Sequence, residues 1–407
     1  MTSKKFIKNK TALITLIAAC LVVLISLGVR QTFGLFFMDF KNDLGISLTQ
    51  AGLSIGLQML MWGLTGPIFG AIADKYGGHK AVALAFLFYI AGIYFLYAGP
   101  NTGIFFQIDM GILIGIGLGG TAISIPMSVV GKHFPLSNRT IAMSIVTAVG
   151  SFGYFISPLY TAYSLENNGW VYTLLVFLTV LVIGFFISWF VRSPSAEQSI
   201  EKPNSQGILE ALNEAFKSKS YILLVSGFFV CGFHITLVGT HVPTYVIDRG
   251  LESWTAAAIL SLIGLFNIFG SLFSGYLSTK MSKKIILSAI YTLRGVSIIL
   301  FIFLPASNIN AFIFGASFGF LWLSTVPATS GIVAHIFGTK FLGLLYGLVF
   351  LSHQIGSFFG AYLGGLFHDL YGSYDYAWYI AIALSIFATL VHYPIDESRI
   401  VREKIVS

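Results

Sequence analysis

The chain has 407 residues, of which 56% are hydrophobic and 10% charged, and its mean hydropathy is +0.85. A soluble domain of this length carries charge on about a quarter of its residues, so an aqueous globule is excluded; about a dozen membrane helices of ~20 residues fit instead. The net charge of +7 then reads as basic loops on one side of a bilayer rather than as a nucleic-acid surface, and Cys20 and Cys231, both in apolar runs, indicate neither a disulfide framework nor a metal cluster.

The first apolar run follows Lys4, Lys5, Lys8 and Lys10. It starts like a signal peptide, but it is too long for one and no small-residue cleavage site follows. It is therefore read as an uncleaved first helix. Apolar segments fall at 12–38, 50–72, 80–98, 104–128, 138–161, 169–190, 220–247, 255–277, 285–304, 311–334, 342–366 and 376–393. These predict helices 1 to 12. Their connections alternate in charge. Of the 23 Lys and Arg residues, 19 lie on the side that holds both termini, against Lys41 and Arg249 on the other. The positive-inside rule places both termini in the cytoplasm, as the even helix count also requires.

The longest break, 191–219, contains Pro194, Pro203 and several serines. It divides the chain into a six-helix half at 1–190, a cytoplasmic linker and a six-helix half at 220–407. Within the linker, Ile208, Leu209, Leu212, Ala215 and Phe216 recur at helical spacing. That pattern suits a short helix on the membrane surface and suits a plain linker nearly as well.

The halves echo each other. After helix 2 the chain reads Gly70, Asp74, Lys75, Gly77, Gly78, Lys80; after helix 8 it reads Gly275, Thr279, Lys280, Ser282, Lys283, Lys284. Pro126 and Phe134 of helix 4 recur as Pro327 and Phe337 in helix 10. A six-helix unit repeated in one orientation is a transporter architecture, with the substrate site near mid-membrane between the halves.

The Gly-x-x-x-Asp-Lys-x-Gly-Gly-x-Lys run between helices 2 and 3 resembles the cytoplasmic-loop signature of the major facilitator superfamily, over essentially the whole chain. The resemblance implies an all-α membrane protein with both termini cytoplasmic, multi-pass in the cytoplasmic (inner) membrane. It also implies a gating role for Asp74 and Arg139, bracing one half on the other. Thr279 stands where the second copy commonly has Asp. Three stretches look closer to the bacterial branch near the monocarboxylate transporters and oxalate–formate exchangers. They are Gly28–Gly34, Gly232 through Pro243, and Gly365 through Asp369 to Tyr374. The Asp/Arg pair of animal members in helix 8 has no counterpart; Asn267 is the polar residue there.

Polar groups inside the spans carry the remaining signal. Arg30 in helix 1 and Asp109 in helix 4 both fall about 7–11 Å outside the midplane at ~1.5 Å per residue. A pair between them would hold the arginine until an anion replaces the carboxylate; an interfacial, solvated Asp109 is the competing expectation. His234 and His241 on helix 7 are seven residues apart and share one helical face. Both are candidates for anion binding or proton coupling, against a role as buried structural histidines. Gln31, Asn267, Trp322, Thr325, His353 and Gln354 are further mid-helix candidates, each also explicable by helix–helix hydrogen bonding. Arg294 lies on helix 9, which is peripheral in the superfamily, so a structural or gating role is expected. Gly115-x-Gly117-x-x-Gly120 spells a dinucleotide fingerprint but lies inside a span with no preceding strand, and is rejected.

The expectation is a secondary transporter for a small organic anion of the monocarboxylate kind. It would work by alternating access, coupled to protons or a counter-anion, as a monomer with no cofactor and no catalytic or metal site. Efflux of an amphipathic drug or siderophore is the alternative transport activity. A non-transporting membrane sensor is the alternative of another class.

Overall fold

A computed structural model describes residues 10–100, 102–193, 207–338 and 340–400; Lys4, Lys5, Lys8, Pro194, Lys202, Pro203, Arg402 and Lys404 lie outside them. Every regular element among the described residues is helical. Eleven helices there are long and apolar enough to cross a membrane. One of them holds two crossings, because Leu136–Ser188 turns at Gly169, with φ 77°, where an L side chain would be strained. Helix 5 therefore runs into helix 6 with no loop.

Helix 1 is Lys10–Gln31, extended through the 3₁₀ turn Phe33–Phe36 into Phe37–Leu44. Helix 2 is Leu48–Tyr76, opened by a capping box of Ser47 and Gln50 that satisfies otherwise orphaned amides. Helix 3 is Gly78–Ala98. Helix 7 is Lys219–Asp248, helix 8 Ser253–Leu277, helix 9 Lys283–Phe303, helix 11 Leu342–Tyr371 and helix 12 Asp375–His392. Before helix 7, Ile208–Lys217 is helical. It buries Ala211 and Ala215 and exposes Ile208, Leu209 and Phe216.

Helices 4 and 10 are discontinuous, which the apolar pattern did not announce. Helix 4 widens into a π-helical stretch at Gln107–Leu113, continues as Ile114–Thr121, and resumes as Ser124–His133. Helix 10 stops at Asn308–Leu321 and resumes as Thr325–Phe337. A proline removes its own amide and crowds the carbonyl four residues back. For Pro126 and Pro327 those carbonyls belong to Ala122 and Leu323, both in the breaks.

The first six helices meet the last six along helices 2 and 11, 5 and 8, and 1 and 7. The contacts are backbone-close. A Cβ on Gly365 would lie 2.1 Å from the Leu48 carbonyl oxygen, one on Gly52 2.4 Å from that of Ala361, and one on Gly34 2.5 Å from that of Thr240. Gly63 rests on Gln354, and the Trp62 and Phe350 rings meet edge to face at 6.1 Å. Further towards the basic, cytoplasmic face the seam parts: nothing comes within 4 Å of a Cβ on Gly347 or Gly343. The seam between the halves is thus closed on its outer side and open on its inner side.

One carboxylate latches the closed side. Asp369 at the end of helix 11 accepts from the Thr49 amide (2.7 Å) and hydroxyl (2.6 Å) at the start of helix 2. A carboxylate at a helix N-terminus gains from both the free amides and the dipole. Because Asp369 is exposed, Asp369→Asn is expected to cost only about 1 kcal/mol of closure, roughly a fivefold shift towards the outward-open form. Spin-label distances between the outer ends of helices 2 and 11 measure this, and an unchanged distance distribution would show that the latch is idle.

On the cytoplasmic side, Asp74 pairs with Lys132 at 2.5 Å, on helix 4 of its own half. Arg139 is exposed on helix 5. The brace expected from Asp74 to the opposite half is absent among the described residues, consistent with the parted seam.

Candidate functional site

Arg30 occupies the last turn of helix 1, where the chain tightens to a 3₁₀ turn, and is 7% exposed. Its guanidinium donates to Gln31 Oε1 at a long 3.4 Å and to Met59 Sδ on helix 2 at 3.2 Å, the thioether being a weak acceptor. Its Nε has no partner. The Tyr89 and Tyr154 phenols are near enough to interact with it electrostatically. No carboxylate pairs with it among the described residues. A buried cation without an anion costs several kcal/mol, even after relaxation and water penetration.

Gln31 completes this end of the site. Its Oε1 is taken by Arg30, and its Nε2 is buried without a partner. Across the seam stands Gly239 of helix 7; a Cβ there would lie 3.5 Å from the Trp322 ring and 4.0 Å from Gln31 Nε2. Helices 1, 7 and 10 therefore converge where an arginine and a carboxamide have unspent donors and an indole forms the wall.

Asp109 does not join Arg30. The two approach helix 2 on different faces: Arg30 on Met59, whereas Met110 and Gly111 beside Asp109 lie on Gln58, Ser54 and Leu57. Equal depth does not fix direction around the bundle, and the expected ion pair is not formed.

The histidines of helix 7 diverge as well. His234 Nε2 donates to the Ala381 carbonyl of helix 12 at 2.8 Å, inside the second half. It is fully buried. His241 Nε2 donates at 2.6 Å to the Ala361 carbonyl of helix 11, the same oxygen that rests over Gly52. Its ring packs on Phe37 and Tyr374, so His241 belongs to the outer closure. Each imidazole Nδ1 is unpartnered. One helical face does not mean one environment, because helices 11 and 12 both flank helix 7.

Gln354 is also in the seam, packed on Gly63, with Oε1 accepting from His353 Nδ1 at 3.0 Å and Nε2 unpartnered. Asn267 is already satisfied at both ends. Its Nδ2 donates to Ser151 Oγ on helix 5 (2.9 Å), and its Oδ1 accepts from the Leu323 amide in the helix 10 break (3.0 Å). It bridges the halves rather than offering a free ligand.

Arg294 meets the same break from helix 9. It donates to the Leu321 carbonyl from Nε and Nη2 (3.2 and 2.8 Å) and to the Trp322 carbonyl from Nη2 (2.5 Å). Its guanidinium also lies over the Tyr291 and Phe318 rings. These carbonyls are freed by the break, and Arg294 satisfies them. Met59, Tyr89, Tyr154, Ser151 and Gly239 join the site although the sequence singled out none of them. Nothing in their spacing separates them from ordinary packing residues.

A separate cavity of about 520 Å³ opens on the outer face, lined by Asp39, Glu166, Thr244, Glu252 and Trp254 among others. Gly34, which packs on the Thr240 carbonyl, is part of its lining. Its three carboxylates and lack of a basic lining residue make it hostile to anions.

The family model described as Major Facilitator Superfamily matches residues 19–326. An uncharacterized MFS-type transporter, YcxA, of Bacillus subtilis is 24% identical over 85% of this chain and 85% of its own. The oxalate:formate antiporter of Oxalobacter formigenes is 24% identical over 88% of this chain and 85% of its own. Among solved structures, a bacterial homolog of the human lysosomal transporter Spinster, in an inward-facing and unoccupied conformation, superposes with a TM-score of 0.72 at 16% identity. It covers 95% of both chains.

Proposed function

The chain belongs to the Major Facilitator Superfamily and is a secondary transporter rather than an enzyme; on that premise we propose that its cargo is a small organic anion of the monocarboxylate kind, bound at Arg30. The observation that carries this reading is the buried guanidinium with no carboxylate partner among the described residues. A carboxylate is the ligand it lacks: planar, able to take two parallel N–H donors, and charge-neutralising. The unpartnered Gln31 Nε2 supplies a further donor, and the Trp322 ring an apolar wall for a short carbon chain. The name of the oxalate:formate relative adds support for the carboxylate class.

Transport follows by alternating access, with the halves rocking about this point. In the present conformation the anion exchanges with the cytoplasm. Return of the empty carrier leaves the arginine uncompensated again, which favours loading before each crossing. Obligatory loading suits exchange against a second anion, whereas co-movement of a proton requires the empty carrier to return.

The test is uptake of labelled lactate, pyruvate, formate and oxalate into proteoliposomes, with and without a preloaded anion and with and without a pH gradient. Saturable uptake of at least one acid, accelerated by a preloaded acid or by the gradient, is the expected result. Failure to move any of the four under every condition defeats the reading.

A further inference from the structure

We propose that Arg294 is a positioning residue of the transport site. It fixes Trp322 through the broken backbone of helix 10, and Asn267 ties that same break to the opposite half. The claim about cargo rests on the anion reading above; the claim about positioning does not.

The break between Leu321 and Thr325 releases backbone groups among buried residues, where each unsatisfied one is expensive. Here they are held by side chains from two other helices. Arg294 takes the carbonyls of Leu321 and Trp322. Asn267 takes the Leu323 amide. Ser274 of helix 8 donates to the Ser324 carbonyl at 2.5 Å. The break is therefore a clamped structure with a defined shape.

Its shape matters because of what it carries. Trp322 is 1% exposed, sits over Gly239, and flanks the unspent Gln31 amide. An arginine suits this clamp better than a lysine. Two nitrogens of its rigid plane, Nε and Nη2, converge on the Leu321 carbonyl while Nη2 also takes that of Trp322, whereas an ammonium is a single nitrogen on a flexible stem and loses more freedom for each bond it makes.

The second half of the inference concerns the seam. Asn267 Nδ2 reaches Ser151 on helix 5 across the halves at 2.9 Å, while its Oδ1 holds the break. One carboxamide thus joins the wall of the site to the line along which helices 5 and 8 pack. The corresponding break in helix 4 is built without such a clamp: Thr121 is met by the Ser26 hydroxyl, and no arginine or asparagine reaches it among the described residues. Asymmetry of this kind assigns the second half to holding the cargo wall and the first to supplying Arg30.

The experiment uses the full-length carrier with Cys20→Ala and Cys231→Ser, the serine keeping a polar atom beside Arg294 Nη2 and Thr325, which the sulfur approaches at 3.6 and 3.2 Å. Gln31→Cys is introduced, and its labelling by a small maleimide is followed from the open, cytoplasmic side. Arg294→Gln is expected to raise the labelling rate severalfold, because the wall that Trp322 forms beside Gly239 and position 31 is no longer held; Arg294→Lys should give a smaller rise. An unchanged rate in Arg294→Gln overturns the positioning role, whatever the cargo is. In the carrier with Gln31 intact, Arg294→Gln is expected to raise KM for the transported acid about tenfold, with Vmax within about twofold. Ser151→Ala, which leaves the break and Arg294 in place, should lower Vmax with KM nearly constant; Asn267→Ala, which also frees the Leu323 amide, should lower Vmax and raise KM less than Arg294→Gln does. Equal losses of Vmax in all three, with KM unmoved, would mean that Arg294 only stabilises the fold. Raised labelling at position 31 in a carrier that moves no acid would uphold the positioning role and overturn the anion reading.

Discussion

Arg30→Ala is expected to reduce carboxylate transport at least a hundredfold in kcat/KM while making the empty carrier no less stable. The two halves of this expectation have one cause. A bidentate, charge-assisted contact in a water-poor site contributes about 3–4 kcal/mol, a hundredfold to a thousandfold in binding. Without ligand, the same guanidinium is a buried cation whose acceptors among the described residues are Gln31 Oε1 and the Met59 thioether, so removing it relieves a desolvation penalty that offsets the lost packing. Arg30→Met, which keeps the volume, should raise the melting temperature of the ligand-free protein in detergent. Added acid should raise the melting temperature of the wild type but not of the variant. A variant that loses transport and stability together would mean that Arg30 is structural.

Gly365→Ala and Gly356→Ala are expected to fail in opposite ways despite clashes of similar size. A Cβ on Gly365 would lie 2.1 Å from the Leu48 carbonyl oxygen of helix 2; one on Gly356 would lie 1.9 Å from the Phe229 carbonyl oxygen of helix 7. Backbone oxygens cannot rotate away, so each overpacked contact costs at least about 1–3 kcal/mol. The Gly365 contact crosses the seam and vanishes when the outer side opens. That variant should fold, with the outward-open population raised about tenfold to a hundredfold and transport reduced in step. The Gly356 contact lies inside the last six helices and persists in every state. That variant should lose yield and melt lower, with no change in the conformational ratio of the protein that folds. Melting curves and accessibility of an outer-seam cysteine separate the two. Identical behaviour would refute the rigid-half account of the seam.

The twelve crossings are legible because hydrophobic length is a property of the chain alone. The turn at Gly169 is legible as well, in the polar run Ser164, Glu166, Asn167, Asn168 and Gly169; what the pattern does not show is that helix 5 stays helical right up to that turn. The breaks in helices 4 and 10 leave one trace, the paired Pro126 and Pro327, which is a signal of repetition before it is a signal of shape. Site residues are harder for a definite reason. Sequence position gives depth in the membrane but not direction around the bundle. Arg30 and Asp109 share a depth and approach helix 2 on different faces. His234 and His241 share a helical face, yet one bonds helix 12 and the other helix 11. Asn267 and Arg294 stand out as polar residues in apolar runs, but their partners are backbone groups freed by a break that the pattern does not contain.

On helix 2, Met59 lies three residues after Gly56 and four before Gly63, so the three share one stripe, and that stripe is the one pressed against helix 11. The bond that Arg30 makes to another helix therefore ends on the sliding surface itself. News that the site is filled has no relay to cross: any ligand that draws the guanidinium off the thioether releases a side chain of the gate in the same movement.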